Sequence, residues 1–348
     1  MRKKLSIVLM LALMLSLLSI NAFAQDEDYT FAFVSNGPYT FWNYAQAGIA
    51  EAEEEYGVEV EVFSPPSGDV QEQRRFIETM MARGIDGLGI SVLDPSNMTP
   101  FINEIAAQIP VITTDSDAPD SDRIAYLGVS NYNAGRLAGE KIKEALPDGG
   151  NIVISTGSLD AANANGRING IIDELKGNPE EYDGEEIDAG EVECGDWTIL
   201  DIRSDSGDES RAKSNAENAI TRFGDDLDLM FGVWNYNAPA ILSAVEDAGK
   251  EGEIDIIGFD ENRETLEGIE DGSIYGSVVQ NPYEYGRRTV EILYKIAEDE
   301  EVDIPEDEII EIPARFITEE NVAEFQEELD EYLEKAEDVD EVDESELE

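Results

Sequence analysis

Short apolar runs alternate with amphipathic segments along most of the chain. Eight runs rich in β-branched or aromatic residues are typical of buried strands. They are Phe31–Val34, Val58–Phe63, Leu88–Val92, Pro110–Thr114, Ile152–Ser155, Leu229–Val233, Ile254–Phe259 and Ile274–Val279. The segments between them repeat apolar residues at helical spacing, as in Ala45, Ile49, Ala52 and Tyr56, and again in Gly286, Val290, Leu293 and Ala297. This alternation favours parallel sheets built from βαβ units.

The number of predicted strands exceeds what one small sheet needs. We therefore predict an α/β fold with two doubly wound parallel-sheet lobes. The acidic, weakly patterned stretch 180–193 is predicted to be a surface loop with an edge strand. Beyond about Glu319 the chain becomes rich in Glu and Asp, and we predict that residues 326–348 form a disordered acidic tail.

The first 24 residues have the pattern of a secretory signal peptide. A basic start, Arg2 to Lys4, precedes an apolar run, and Ala22-Phe23-Ala24 matches a cleavage site before Gln25. The apolar run is shorter than the roughly 20 residues of a membrane-spanning helix. We expect an exported protein that works in the periplasm.

The charge balance is extreme: 80 acidic and 23 basic residues give a formal net charge of −57. Self-repulsion of this size destabilises a compact state in dilute buffer, whereas the Debye length falls to about 3 Å in molar salt. We interpret the charge as an adaptation to a very saline environment. It disfavours binding to nucleic acid or to an anionic membrane.

Two residue counts restrict the chemistry. The chain has no histidine, which excludes His-based triads and His-ligated metal sites. Its one cysteine, Cys194, allows no intramolecular disulfide and is expected to be a small core residue. The acidic segment Asp115–Asp122 lacks the glycine and terminal glutamate of an EF-hand loop, so we expect a solvated turn and no metal.

Polar residues follow nearly every predicted strand. Ligands of open α/β sheets bind beyond the carboxyl ends of the strands, so these residues are expected to surround a common crevice. They are Ser35, Asn36, Ser91, Asp115, Ser155, Thr156, Asn235, Asp260 and Gln280. The aromatic pair Phe41–Trp42 follows the first strand and should border the same crevice. Flat rings beside carboxyl and amide groups suit a pyranose, which has one apolar face and a rim of hydroxyls.

Several stretches resemble the periplasmic sugar-binding proteins of the ribose-binding type, whose type I fold is shared with LacI-like repressors. The resemblance covers about residues 29 to 318 and is carried, in order, by "VSNGPYTFWNYAQAG", "IPVITTDSDAP", "NGRINGI", "GVWNYNAPAILSAVEDAG", "IIGFDEN" and "YGSVVQNPYEYGRRTVEIL". It implies two lobes joined by a multi-strand hinge. The implied N-terminal lobe comprises residues 26–130 and 281–307, and the implied C-terminal lobe comprises 131–280 and 308–325.

The resemblance also assigns roles to individual residues. Phe41 and Trp42 would stack on the sugar, Asp115 and Asp260 would accept hydroxyl protons, and Arg167, Asn235 and Gln280 would donate or bridge. With Ser91 and Ser116, these residues are the predicted ligand site. The implied protein is a monomer without a cofactor that delivers a small neutral sugar to the permease and ATPase of an ABC importer, and it could also present the sugar to a chemoreceptor. An alternative is a ligand-sensing component for chemotaxis or two-component signalling.

This sequence departs from the family pattern at two places. Ser116 stands where ribose binders carry an arginine, and the segment Ser204–Asp208 has no aromatic ring, although Trp197, Trp234 or Tyr236 could replace it. The sugar therefore stays open, and a cyclic polyol such as inositol or a furanose-like signalling molecule is the main alternative ligand.

Two other functional classes are less consistent with the chain. A LacI-like regulator needs a DNA-binding headpiece and a basic surface, where this chain has a signal peptide and a large negative charge. A carbohydrate hydrolase could use Asp115 and Asp260 as paired carboxyl groups. The resemblance to non-catalytic binders favours a protein that is not an enzyme.

Overall fold

The computed structural model describes residues 29–178, 187 and 190–336. The predicted signal peptide and most of the predicted acidic loop 180–193 lie outside these residues. Within the described part, no helix combines the length and the apolar character that crossing a bilayer requires.

Six strands form the first sheet. In spatial order they are β12 (Ile309–Glu311), β5 (Ala125–Gly128), β4 (Val111–Thr114), β3 (Gly87–Ile90), β1 (Thr30–Val34) and β2 (Glu59–Phe63). All neighbouring pairs are parallel. Four helices cover this sheet: α1 (Thr40–Tyr56), α2 (Val70–Arg83), α3 (Pro95–Ala106) and α9 (Pro282–Ala297).

Seven strands form the second sheet. In spatial order they are β13 (Arg315–Ile317), β11 (Gly276–Val279), β10 (Asp255–Phe259), β9 (Leu229–Gly232), β6 (Gly150–Thr156), β8 (Trp197–Ser204) and β7 (Val192–Cys194). Only the two edge strands, β13 and β7, pair antiparallel with their neighbours. The flanking helices are α4 (Asn131–Ala145), α5 (Ala162–Lys176), α6 (Glu209–Phe223), α7 (Asn237–Ala248) and α8 (Arg263–Asp271).

Both faces of each sheet are buried. In β1, Phe31 and Phe33 pack against α1 and α9, while Ala32 and Val34 pack on the opposite face. Parallel strands covered by helices on both sides read as continuous apolar runs, which is why the eight predicted strands are all present. The predicted α/β fold with two doubly wound lobes is confirmed.

Within residues 29–178 and 190–336 the chain passes between the lobes three times. The crossovers are residues 129–130 between β5 and α4, 280–281 between β11 and α9, and 312–314 between β12 and β13. One predicted boundary is wrong here: residues 308–325 were assigned to the C-terminal lobe, but β12 pairs with β5 in the first sheet. The short edge strand buries only Ile310, so its pattern carries too little signal.

The predicted disordered tail is also wrong over residues 326–336. These residues belong to helix α10 (Val322–Ala336), which buries Val322, Phe325 and Leu329. The three apolar residues have helical spacing, but the surrounding glutamates dominate the composition. Residues 337–348 of the predicted tail lie outside the described residues.

A pair of reciprocal glycine contacts joins two helices in each lobe. A Cβ on Gly48 of α1 would overlap the Tyr283 carbonyl of α9, and one on Gly286 would overlap the Ala45 carbonyl of α1. In the second lobe, Gly135 of α4 and Gly170 of α5 approach the facing helix in the same way. The backbones of both helix pairs are therefore in direct contact.

The substitution Gly286→Ala is expected to lower the free energy of unfolding by about 1–3 kcal/mol, because the added methyl group forces α1 and α9 apart. Glu54→Ala on the exposed face of α1 is the matched control and should change stability by less than about 0.5 kcal/mol. Chemical denaturation in molar salt measures both. Equal stabilities for the two variants would contradict the close approach.

Candidate functional site

Two aspartates occupy equivalent positions in the lobes. Asp115 directly follows β4 and Asp260 directly follows β10, and both have left-handed backbones, with φ of 60° and 65°. Non-glycine residues adopt this conformation infrequently, and Asp is among those that tolerate it. Strained residues of this kind cluster at functional sites. Both carboxyl groups lie at the carboxyl edge of their sheet.

Asp115 is the centre of the first-lobe half of the site. Its Oδ2 accepts hydrogen bonds from Asn36 Nδ2 and Ser91 Oγ, both at 3.1 Å. The buried Gln73 fixes the loops that carry these donors, because its Nε2 donates to the Ser35 and Ser91 carbonyls at 2.8 and 2.7 Å. The ends of β1, β3 and β4 therefore converge on one carboxylate.

The two rings of the aromatic pair, which were both expected to stack on the sugar, differ in orientation and burial. Phe41 and Trp42 meet edge to face, with ring centroids 5.1 Å apart and planes at 85°. Phe41 is half-buried, whereas Trp42 is only 2% exposed and packs against Phe33 in the first-lobe core. Trp42 Nε1 donates to Asn36 Oδ1 at 2.8 Å. The indole therefore orients the amide that contacts Asp115, and Phe41 is the more accessible ring.

Arg167 organises the second-lobe half. Its Nε donates to Asn131 Oδ1 and its Nη1 to the Val233 carbonyl, both at 2.9 Å. The guanidinium carbon lies 3.6 Å from the ring centroid of Phe259, and Nη1 lies 3.9 Å from Asp260 Oδ2. A planar cation is thus held between an aromatic face and a carboxylate.

Gln280 links the second-lobe carboxylate to the first lobe. It lies in the crossover between β11 and α9, and its Nε2 donates to Asp260 Oδ1 at 2.9 Å. Its Oε1 accepts a hydrogen bond from the Tyr285 hydroxyl of α9 at 3.2 Å. Rotation of one lobe relative to the other would therefore alter the surroundings of Asp260.

The two halves influence each other electrostatically. Burial raises the pKa of the Asp115 carboxyl to about 6, while the Ser91 hydroxyl and the charge of Arg167 act to lower it and the charge of Asp260 raises it. Burial also raises the pKa of Asp260, opposed by Arg167 and by the amide of Gln280. Since Asp115 belongs to one lobe and Arg167 and Asp260 to the other, the lobes face each other across this site.

Two predicted site residues are not joined to this network. The Ser116 hydroxyl donates to the Val92 carbonyl at 2.7 Å, so it fastens adjacent loops of the first lobe. Asn235 is exposed, and its Oδ1 lies 3.4 Å from Asn262 Nδ2. The fully buried amide of that loop is Asn237.

The loop after β9 rests on a buried carboxylate that sequence reasoning did not single out. Asp205 accepts hydrogen bonds from the Tyr236 hydroxyl at 2.6 Å and from Asn237 Nδ2 at 2.9 Å. The neighbouring Trp234 ring lies against Gly157, where any Cβ would overlap it. Trp234 and Tyr236 therefore stand at the carboxyl edge of the second sheet. Trp197 begins β8 at the opposite edge and donates to the Leu146 carbonyl.

Comparison with known proteins identifies the family of the chain. The sequence profile of the family described as "Periplasmic binding protein domain" matches residues 31–301. The chain belongs to this family. Its members are extracytoplasmic solute-binding proteins, and the type I fold expected from the resemblance is confirmed.

Relatives and solved structures are named as sugar binders. The chain is 24% identical to the D-allose-binding periplasmic protein of Escherichia coli, over 80% of this chain and 86% of that protein. GanP, a glucose-galactose binding protein from Geobacillus stearothermophilus, is 29% identical with a TM-score of 0.70, covering 85% of this chain and 99% of GanP. A solute-binding protein from Burkholderia graminis, solved with D-arabinose, is 27% identical with a TM-score of 0.71, covering 86% and 98% of the respective chains.

Glu261 adds a third carboxyl group beside the binding-protein cleft. Burial and the charge of the adjacent Asp260 together raise its pKa to about 8, against smaller opposing effects of its own backbone N–H and of Arg315. Its Oε2 is buried without a hydrogen-bond donor among the described residues. The neutral form is therefore favoured in the folded chain. The sequence signal was present, since Glu261 directly follows the predicted Asp260.

This carboxyl group should make stability depend on pH. Its pKa is near 8 in the folded chain and near the ordinary 4.5 in the unfolded chain, so the folded state retains a proton that the unfolded state releases. The stabilisation is complete below about pH 4.5 and is lost as the pH rises to about 8. Glu261→Gln should remove this part of the decline, which amounts to about 1.4 kcal/mol for each pH unit between the two pKa values. Denaturation curves in molar salt measure it, with the exposed Glu270→Gln as control. Parallel pH profiles for the native chain and Glu261→Gln would contradict the assignment.

Proposed function

We propose that this chain captures a monosaccharide in the periplasm and delivers it to an ABC importer, with the two lobes closing over the ligand. The observation that carries the proposal is the convergence of Asp115, Arg167, Asp260 and Gln280 from both lobes and one crossover. Carboxylates that accept and a guanidinium and amide that donate suit a ring of hydroxyls. The names of the relatives, which bind allose, glucose or galactose, and arabinose, point to the same ligand class.

The arrangement favours selectivity through polar contacts. Asp260 receives Gln280 on Oδ1 and has Arg167 near Oδ2, while Asp115 receives both protein donors on Oδ2. Asp115 Oδ1 is then the oxygen available to a ligand hydroxyl. A ligand that lacks a matching hydroxyl leaves a buried partner unpaired, at a substantial loss of affinity. Phe41 would cover the apolar face of the sugar, and Trp234, at the carboxyl edge of the second sheet, would oppose it.

Export, salt adaptation and partners form part of the same proposal. Residues 1–24 would direct the chain to the periplasm, and the charge of −57 would be tolerated in a very saline medium. The closed form would be recognised by a permease with its ATPase, or by a chemoreceptor. The protein would bind its ligand without chemical conversion.

A thermal-shift panel tests the ligand class. We expect at least one of D-allose, D-ribose, D-glucose, D-galactose and D-arabinose to raise the melting temperature in molar salt, since a ligand that binds only the folded state stabilises it. The polyol myo-inositol is included as the alternative ligand, and recovery of unaltered ligand after incubation tests for turnover. Failure of every sugar while inositol binds would redirect the proposal to polyols. Recovery of a chemically altered ligand would contradict it.

Amide substitutions of the aspartates test the assigned contacts. Asp115→Asn and Asp260→Asn keep a side chain that tolerates the left-handed backbone but remove the charge. Each should weaken binding of the sugar identified in the panel by about 10- to 100-fold, the loss expected for a charged hydrogen bond. Asp247→Asn at an exposed ion pair with Lys213 is the control and should bind normally. Calorimetry measures all three, and unchanged affinity would place the tested aspartate outside the site.

A further inference from the structure

Helix α10 contacts both lobes along its length. Its first half packs into the second-lobe core through Val322, Phe325 and Leu329. Its second half lies on α1 and α9 of the first lobe, where Tyr332 stacks on Tyr283 with centroids 4.2 Å apart and planes at 8°. A helix of 15 residues is a rigid rod of about 22 Å. It is therefore long enough to join two bodies that move relative to each other.

Lys335 strengthens the first-lobe end of this contact. Its Nζ lies 2.9 Å from Glu51 Oε2 of α1 and 5.6 Å from the ring centroid of Tyr283. Both side chains of the ion pair are partly exposed, at 47% and 40%. At this end the rings of Tyr283 and Tyr44 are buried and only the ion pair is partly exposed, whereas the other end is held by three apolar side chains of the second-lobe core. One ring stack and one exposed ion pair contribute less than the burial of three apolar side chains, so the first-lobe end is expected to separate first.

Helix α10 contacts residues that lie just beyond two of the crossovers. Arg315 is the first residue of β13 after crossover 312–314, and its Nη1 and Nη2 donate to Glu328 Oε2 and Oε1, both at 3.0 Å. Tyr283 follows crossover 280–281 by two residues. Glu328 Oε1 also accepts a hydrogen bond from the Tyr332 hydroxyl at 2.8 Å. A continuous path thus runs from Arg315 through Glu328 and Tyr332 to Tyr283.

The same helix end reaches the edge of the ligand site. The Tyr44 ring of α1 lies 6.5 Å from the Tyr332 ring, centroid to centroid. Tyr44 is buried and lies near Glu261, whose charge contributes to raising the pKa of its hydroxyl. Glu261 directly follows Asp260. The contact between α10 and the first lobe therefore adjoins the loop that carries a proposed ligand carboxylate.

In the described arrangement Arg167 and Asp260 of one lobe act on the charge of Asp115 in the other, as expected when the cleft is closed. We propose that α10 is a brace across the hinge that stabilises this closed arrangement of the lobes. When the lobes rotate about the three crossovers, one end of α10 separates from the lobe that it contacts. The end that separates is Tyr332–Lys335, which leaves α1 and α9 of the first lobe. The brace shifts the equilibrium between open and closed forms before any ligand binds. Since binding requires closure, this shift raises the apparent affinity by increasing the fraction of competent molecules.

Single-molecule energy transfer on the ligand-free chain tests the brace. Dyes are attached through Glu78→Cys on α2 and Glu217→Cys on α6, both exposed and in different lobes, in a Cys194→Ala background. We expect Tyr332→Ala combined with Lys335→Ala to raise the open-to-closed ratio about tenfold, the loss of one ring stack and one exposed ion pair. Glu327→Ala, exposed on the same helix, is the matched control and should leave the ratio unchanged.

Single variants of Lys335 provide a second arm that does not depend on the double variant folding. Lys335→Glu should open the lobes by placing like charges together, whereas Lys335→Arg keeps the cation beside Glu51 and should leave the closed population unchanged. An unchanged ratio in the double variant, with its helix content retained by circular dichroism, would overturn the proposal. A ratio left unchanged by Lys335→Glu, or raised equally by Lys335→Arg, would overturn it as well. Because no ligand is present, either result is independent of which solute the chain binds.

Discussion

The site depends on one buried cation. Arg167 is 4% exposed, and its single guanidinium contacts Asn131 just after the first crossover, Val233 at the end of β9 and the ring of Phe259. Burial acts to lower its pKa, and the charges of Asp260 and Asp115 oppose that effect. A charge held in this way needs its partners, because an unpaired buried ion is strongly destabilising. The guanidinium and the two carboxylates therefore stabilise one another across the cleft.

The two lobes use the same local device to present a carboxylate. In each, a buried parallel strand ends in an aspartate with a left-handed backbone, followed by a loop that turns back toward the helices. The strain turns the carboxyl group out of the line of the strand, and neighbouring donors hold it there. In the first lobe the donors come from Asn36 and Ser91, and in the second from Gln280. The two aspartates therefore share their backbone conformation, whereas their hydrogen-bond donors differ.

Much of the architecture could be predicted because parallel strands buried on both faces leave a strong apolar signal. The strands that the pattern does not predict lack a continuous apolar run: β5 contains alanine and glycine, β12 buries only Ile310, and β8 is interrupted by Asp201 and Arg203. Helix α10 was missed for another reason, since its three core residues are separated by glutamates. Its stability comes from packing against two lobes, which no local pattern records.

The candidate site was predictable as a set of strand ends, and less so in its details. Asp115, Arg167, Asp260 and Gln280 converge because strand ends meet at one edge. The burial of Trp42 could not be derived, because which of two adjacent helical residues faces the core depends on how α1 sits on its sheet. Asn235 and Asn237 differ in the same way: one is exposed and the other is buried against Asp205.

The glycine contacts in each lobe determine where flexibility is concentrated. Two of the crossovers lead straight into a helix that is locked to a neighbour by backbone contact, α4 against α5 and α9 against α1. Each such helix pair moves as one rigid body together with the crossover residue that precedes it. Torsional change is then confined to a handful of linking residues, and a small rotation there becomes a large displacement at the mouth of the cleft.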